Sequence, residues 1–214
     1  WRMIFDHDAS DVVSLVIWKC VVVLPVVDDL PNRMILATDE NECYPELCEF
    51  TNEQFERRFS SHLEQFYPLI LSHWSNNEIQ AVIGFRSAEK SPLFLEQYLP
   101  GSAEVLLNTE RESIVEIGGF AALNRAAALP LICAAADTLQ QLGFTTAVCT
   151  ANAPIRGCLK KLGIEFSEIG VANPELIGES VESWGSYYKS APRVIAGDIA
   201  TGVKAMGSLF GAVA

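Results

Sequence analysis

Glu116 stands inside the apolar run Ile114-Val115-Glu116-Ile117, and that run is followed at once by Gly118-Gly119. If the run is a strand, alternation places Glu116 on the face of Ile114, with Val115 and Ile117 pointing the other way. A carboxylate between two apolar faces is costly unless it is paired, which leaves two readings open. Either its pKa is raised and it serves as a general base for an attacking nucleophile, or it is bridged to Arg111 or Arg86. The amides near Gly118 and Gly119 are placed to polarise a carbonyl at the same spot. Glu96, among Leu93, Phe94, Leu95, Tyr98 and Leu99, either orients an acceptor amine or pairs with Arg86. Arg86 itself has the fork to clamp an acceptor carboxylate. Trp184, Tyr187 and Tyr188 either line a pocket, with Tyr187 supplying an acidic hydroxyl, or pack as core. Arg125, Arg156, Lys160 and Lys161 are read as cations gathered at two helix starts, suited to a phosphate or an acidic partner surface, or else as solvated helix faces.

These residues need a scaffold, and the order of elements supplies one. Residues 114–117 are β-like, 130–142 carry helical apolar spacing, Gly143 stops that helix, 145–150 return as a strand, and Asn152 opens a second helix ending at Leu162-Gly163. Upstream, 12–18 and 21–27 read as buried strands and 34–37 as a short strand. Phe55, Phe59, His62, Leu63, Phe66 and Leu69 share one face of a helix within 50–74 that Pro68 bends or ends, and 79–85 is a strand. Ser91-Pro92 begins a unit that Pro100-Gly101 closes, and 165–171, 184–188 and 194–199 follow the crossovers. One α/β domain over 1–198 is expected, with a Gly- and Ala-rich tail or helix over 199–214.

Composition narrows the partners. The chain of 214 residues has a formal charge of −12, so its long-range field repels nucleic-acid backbones and anionic headgroups. Nucleic acid is not expected as a partner. The six cysteines are scattered, and Cys43 and Cys48 lack a second pair to complete a metal site, so reduced thiols in a cytoplasmic protein without a bound metal are expected. The apolar run 12–27 is interrupted by Lys19 and Pro25 and preceded by Asp6, Asp8 and Asp11, unlike an export signal or a membrane span. Membrane contact is left only to the C-terminal tail, which has few basic residues for that role.

The run from strand to Asn-led helix is similar to GNAT-type N-acyltransferases. Counting from Asn152, Ile155 falls at their apolar position and Gly163 at their cap, whereas Leu159 stands where they carry an acidic Tyr. Leu123-Asn124-Arg125-Ala126-Ala127-Ala128 stands where they carry a glycine-rich pyrophosphate loop. The motifs Leu93-Phe94-Leu95-Glu96-Gln97-Tyr98-Leu99, Ile114-Val115-Glu116-Ile117-Gly118-Gly119 and Trp184-Gly185-Ser186-Tyr187-Tyr188 resemble the thermostable hemolysin family across about 50–202, with a departure at Gly119-Phe120 where Asn-Leu is usual. That family is grouped with GNAT-like acyltransferases and is similar to acyl-homoserine-lactone synthases. The resemblance implies a GNAT-like single domain with a central mixed, splayed β-sheet flanked by helices. It also implies transfer of an acyl group from a phosphopantetheine thioester, on acyl carrier protein or CoA, to an amine such as an amino acid, with no tightly bound cofactor. Glu116 and Tyr187 would be catalytic, and Arg86, Glu96, Trp184 and Tyr188 would bind the acceptor. Gly118, Gly119, Arg125, Asn152, Arg156 and Lys160 would bind the donor. Two rivals remain open: the membrane-active hemolysin that the family name implies, and an inactive scaffold binding an acyl thioester or a partner protein, favoured by Leu159 and the alanines.

Overall fold

The computed structural model describes residues 15–17, 20–22 and 32–210. In chain order its elements are β1 (Leu15–Ile17), β2 (Cys20–Val22), β3 (Asn32–Thr38), α1 (Tyr44–Phe59), β4 (Leu69–Ser75), β5 (Glu78–Ser87), α2 (Ala103–Leu107), β6 (Ile114–Ala122), α3 (Arg125–Gln141), β7 (Thr146–Ala151), α4 (Ala153–Lys161), β8 (Ser167–Val171), β9 (Arg193–Asp198) and α5 (Ile199–Phe210). Tight 3-10 segments fill 94–98, 174–184 and 187–190. β1 and β2 pair with each other, and the remainder of the expected strands 12–18 and 21–27 lies outside the described residues.

Seven strands form one mixed sheet in the order β3-β4-β5-β6-β7-β9-β8. Every neighbouring pair is antiparallel except β6 and β7, which α3 joins as a parallel crossover. On the back face, Val115 and Ile117 of β6 meet Ala127, Leu131, Ala135 and Leu139 of α3, an i, i+4 stripe, together with Ile199 and Val203 of α5. On the front face, Ile114, Val148 and Val194 pack under the 3-10 segments, and Ala121, Val82 and Ile70 pack under Leu47 and Phe55 of α1.

β6 does not keep one alternation. Its pairing with β5 runs from Ser87↔Val115 to Gly84↔Gly118, then resumes at Val82↔Ala121, so Gly119 and Phe120 together face one residue of β5. That is a β-bulge, and Gly119 takes φ +56 within it, a conformation that suits glycine. Even-numbered residues face front before the bulge, as Ile114 does. Odd-numbered ones do after it, with Ala121 in the front cluster and Phe120 and Ala122 in the back one.

Two sequence expectations are corrected. The helix placed within 50–74 spans only Tyr44–Phe59: Ser60 turns left-handed at φ 51, and 60–68 run back along the helix, where Asn52 bonds both N–H and C=O of Leu63. Leu63 thus reaches the Phe55 cluster by a turn, which mimics helical spacing. α3 begins at Arg125, not Pro130, because Asn124 Oδ1 accepts the Ala127 amide and Pro130 is tolerated on an exposed position. The alanines expected in a phosphate loop are therefore the first helical turn, the place where alanine is favoured. The stretch 199–214, read as a tail or helix, is helical to Phe210, with Ile199 and Met206 buried. No described helix is long and apolar enough to cross a membrane.

Candidate functional site

β6 and β7 are in register from Ile114↔Thr146 to Ile117↔Cys149, and there their pairing ends although both strands continue. The two strands splay into a wedge at this point. Glu116 lies one residue before the wedge and Gly118 one residue beyond it.

The Glu116 side chain is 1% exposed and sits on the front face with Ile114, as alternation predicts. Its Oε1 accepts the Leu95 amide at 3.0 Å and its Oε2 the Phe94 amide at 3.1 Å. Arg86, its cross-strand partner, brings Nη1 to 3.8 Å from Oε2. Of the two ion pairs weighed for Glu116, the one with Arg86 forms, because Arg86 faces it across the β5–β6 ladder. Burial pushes the carboxyl pKa above the usual carboxylate range, against the lowering pull of the Leu95 and Phe94 amides and of Arg86. A buried carboxyl held by two amide donors beside a guanidinium, and still raised in pKa, can act as a positioned base.

Glu96 does not pair with Arg86. Arg111 grips it with two bonds from its guanidinium, at 2.8 and 3.1 Å, and the amides of Leu93 and Ala103 donate to it at 2.7 and 2.8 Å. Burial opposes ionisation of Glu96, but Arg111 and these amides prevail and its pKa is lowered. Arg111 also bonds Glu104 and the Ser91 carbonyl. The cluster therefore ties the 3-10 turn 94–98 to α2, and that turn presents the two amides holding Glu116. Replacing Arg111 by alanine is expected to lower stability at pH 7 by about 1–2 kcal/mol. Because the folded pKa of Glu96 is depressed, this contribution is full above its unfolded pKa and fades as pH falls through the folded one. Urea denaturation of both proteins at pH 7 and at pH 3 checks it: a difference that persists undiminished in acid would contradict the assignment.

The aromatic residues close the front of the wedge. The Tyr187 hydroxyl donates to the Thr150 carbonyl at 3.0 Å, just past the end of β6–β7 pairing, and burial holds its pKa well above the usual phenol value. Its ring packs on Phe55, Phe59, Trp184 and Tyr188. Tyr188 and Tyr98 share a hydroxyl–hydroxyl bond at 2.6 Å, and Trp184 stacks against Phe94, so the cluster is both packed core and wall of the site. Thr150 Oγ1 is buried and has no hydrogen-bond partner among the described residues.

The residues expected to hold a donor are less gathered. Asn152 caps α4, its Oδ1 accepting the Ile155 amide at 3.0 Å. Arg125 is exposed in the first turn of α3. Arg156 turns its guanidinium inward to the carbonyls of Ala151 and Ala191, at 2.6 and 2.9 Å, and to Glu168 at 3.5 Å. Lys160 and Lys161 fall in the last turn of α4, not near a helix start, because eight residues of helix advance about 12 Å. The ammonium of Lys160 sits over the Phe166 ring at 5.6 Å. The single cationic patch expected from sequence is thus dispersed. An open hollow of about 660 Å³ near Lys160, Phe166 and Gly197 lies at the opposite end of β7 from the wedge, since Asp198 pairs with Thr146 and Arg193 with Ala151.

Tyr67 is the residue that sequence patterning overlooked. Tyr67 is half-buried with its phenol at the mouth of the wedge, and its pKa is raised first by desolvation, then by Glu116, with Tyr187 and Cys149 adding to it and Arg86 opposing. Arg86 lies over its ring at 5.1 Å, and Tyr44 Oη donates to its carbonyl at 2.7 Å. The available signal was the pair of glycines, Gly84 and Gly118, directly opposite each other in otherwise bulky strands.

Comparison with known proteins follows this geometry. The family model described as thermostable hemolysin matches residues 37–203. No curated protein matches. Among solved structures, the CoA-dependent acyl-homoserine lactone synthase BjaI with MTA superposes with a TM-score of 0.60 at 12% identity, covering 84% of this chain and 90% of that one. FeeM, an N-acyl amino acid synthase from uncultured soil microbes, gives 0.57 at 12% identity, covering 84% and 97%. The AHL synthase LasI gives 0.54 at 13% identity, covering 78% and 91%. At such identities the likeness is one of fold, and it establishes the GNAT-like α/β architecture with its open, mixed, splayed sheet.

Proposed function

Since the chain belongs to the thermostable hemolysin family, whose match spans the wedge and everything around it, we propose that it is an acyltransferase that moves an acyl group from a phosphopantetheine thioester to an amine. The observation that carries this reading is the buried Glu116 carboxyl, raised in pKa and held by two amides and Arg86, one residue from the point where β6 and β7 part. The wedge would take the pantetheine arm, with acyl carrier protein or CoA as its bearer. The acceptor is a small amine, and an amino acid suits the guanidinium of Arg86 beside the base.

In the reaction, the amine nitrogen attacks the thioester carbonyl carbon, and Glu116 takes the proton released from nitrogen, directly or through a water. Backbone N–H groups of Gly118 and Gly119, at the edge of the bulge and beyond the last β6–β7 pair, stabilise the developing oxyanion. Collapse breaks the carbon–sulfur bond, the protonated Tyr187 hydroxyl supplies the proton to the departing thiolate, and the proton held by Glu116 returns to the Tyr187 phenolate through solvent to reset the site. The products are an amide and a free thiol. Trp184 and Tyr188 line the acceptor side, and the first turns of α3 and α4, with Arg125 and Asn152, lie where the donor's phosphate would approach.

The test is direct. Purified protein is incubated with acyl-CoA and acyl carrier protein donors of several chain lengths and a panel of amino acids and simple amines, and products are read by mass spectrometry. N-acyl product with release of one thiol per turnover is expected. Absence of product from every pair, with saturable binding of the thioester, would favour an inactive scaffold instead, and lysis of red cells at low dose without turnover would favour the membrane-active reading.

A further inference from the structure

The face of the sheet beside the wedge has a slot with a glycine floor. Gly84 and Gly118 are cross-strand partners, and both are denied a side chain by the same neighbour. A Cβ at Gly118 would come within 2.0 Å of the Tyr67 hydroxyl oxygen and 2.3 Å of its Cζ, and one at Gly84 would meet Tyr67 Cβ at 2.6 Å. The phenol therefore lies flat along the β5–β6 pair, its near end on Gly84 and its far end on Gly118. Beside it remains a void of about 10 Å³ bounded by Thr51, Phe66, Ile70, Gly84 and Gly119.

Three features make this a substrate slot that the chain fills with its own side chain. Its far end opens on the carboxylate, because Gly118 shares the front face with Glu116 two residues earlier in β6. Its walls are apolar: a phenylalanine, an isoleucine, the Thr51 methyl and two glycines. Its occupant comes from the irregular segment 60–68, which is anchored by the Asn52–Leu63 bonds and the Tyr44–Tyr67 bond and carries no strand pairing of its own.

We propose that this slot holds the acyl chain of the thioester and that Tyr67, by its bulk, sets how long a chain the site accepts. The inference rests on the acyl-transfer reading above and deepens it: the polar end of the site, Glu116 and Arg86, takes the amine, and the glycine-floored end takes hydrocarbon. With tyrosine in place the slot is filled down to its glycine floor, so only an acyl group short enough to stop at the hydroxyl end of the ring is accepted. Removal of the ring opens the groove towards Phe66 and Ile70, where each further methylene buried strengthens binding by roughly fourfold.

The experiment compares wild type with Tyr67→Ala, Tyr67→Leu and Tyr67→Phe, using S-alkyl pantetheine thioethers from ethyl to decyl as non-reactive probes in calorimetric titrations. Wild type and Tyr67→Phe are expected to prefer the short probes. Tyr67→Leu, and to a greater extent Tyr67→Ala, are expected to raise the decyl-to-ethyl affinity ratio at least tenfold. Tyr67→Leu keeps the test open if Tyr67→Ala does not fold. Ratios equal to wild type in the folded variants overturn the proposal whether or not any protein turns over, whereas failure of acyl transfer with every donor sinks the catalytic reading and leaves the slot measurement standing. A cycle adds a second check: Gly118→Ala is expected to lower Tm in wild type and to do so much less in the Tyr67→Ala background, since the two side chains compete for one space. Additive Tm losses would refute the placement of the ring.

Discussion

Glu116→Gln is expected to lower the rate of N-acyl product formation by about 10²- to 10⁴-fold, the range that loss of a positioned base produces. Glutamine keeps the shape and one acceptor oxygen, so one of the Phe94 and Leu95 amides stays bonded, while the new NH₂ group is turned against the other. Stability is therefore expected to fall by about 1–3 kcal/mol, and the assay belongs at a temperature where both proteins are folded. The pH profile separates base from strut. In wild type, kcat/KM rises with pH as Glu116 ionises, and because its folded pKa is raised the limb lies above the ordinary glutamate value of about 4.3. The variant is expected to lose that limb. Stability runs the other way: the folded protein holds this proton more tightly than the unfolded chain, so the contribution of Glu116 is greatest below the unfolded pKa and declines as pH rises to the folded one. An unchanged rising limb in Glu116→Gln would remove Glu116 from the chemistry.

The largest structural effect is expected at Gly185. Its backbone is at φ 50 and ψ −120, and a Cβ there would meet the carbonyl oxygens of Phe59 and Ser60 at 2.2 and 2.3 Å and the Ser60 carbonyl carbon at 2.8 Å. None of those atoms can rotate away, because they belong to the main chain at the end of α1. The same junction carries bonds from Ser186 N and Oγ to the Phe59 carbonyl, and from His62 N to the Ser183 carbonyl. Gly185→Ala is expected to cost about 3 kcal/mol or more, combining overpacking with a backbone conformation that L-residues avoid. It should also disturb the contacts of Tyr187 with Phe59 and Trp184, weakening substrate binding in whatever fraction stays folded. Gly157, inside α4 with open space around its Cα, is the control, and its alanine variant is expected to be stabilised by up to about 1 kcal/mol. Thermal denaturation of the pair tests both signs, and a neutral Gly185→Ala would mean that the junction is looser than these distances require.

Much of this architecture is legible in the chain because local signals and tertiary needs agree. The order β6, α3, β7, α4 follows from apolar periodicity and its stops, and Asn152 and Gly163 punctuate α4 as their residue types predict, Gly163 with φ +67. The face occupied by Glu116 follows from alternation alone. What stays hidden depends on pairings between distant segments. Whether Arg86 or Arg111 meets Glu116 is decided by strand register, and Arg111 is drawn away to Glu96 and Glu104 by a turn that has no periodicity to read. Tyr67 lies within a stretch whose apolar spacing imitates a helix, and its partners Gly84 and Gly118 are 34 residues apart in sequence. Lys160 looks close to the Asn152 cap in the sequence, but the length of α4 carries it to the far end.

The bulge at Gly119 carries one more consequence, concerning which changes of length this chain can absorb. Since the side chains of β6 exchange faces at that point, the spacing between Glu116 and Ala121 has a fixed parity. Loss of the extra residue alone would restore a regular ladder with Phe120 still at the back and Ala121 still at the front, whereas straightening the bulge with its residues kept would bring Phe120 to the front under α1 and turn Ala121 into the α3 core. Packing beyond the wedge therefore depends on the left-handed turn at position 119 and not on length alone, so homologous chains should either hold there a residue that takes a positive φ or be one residue shorter.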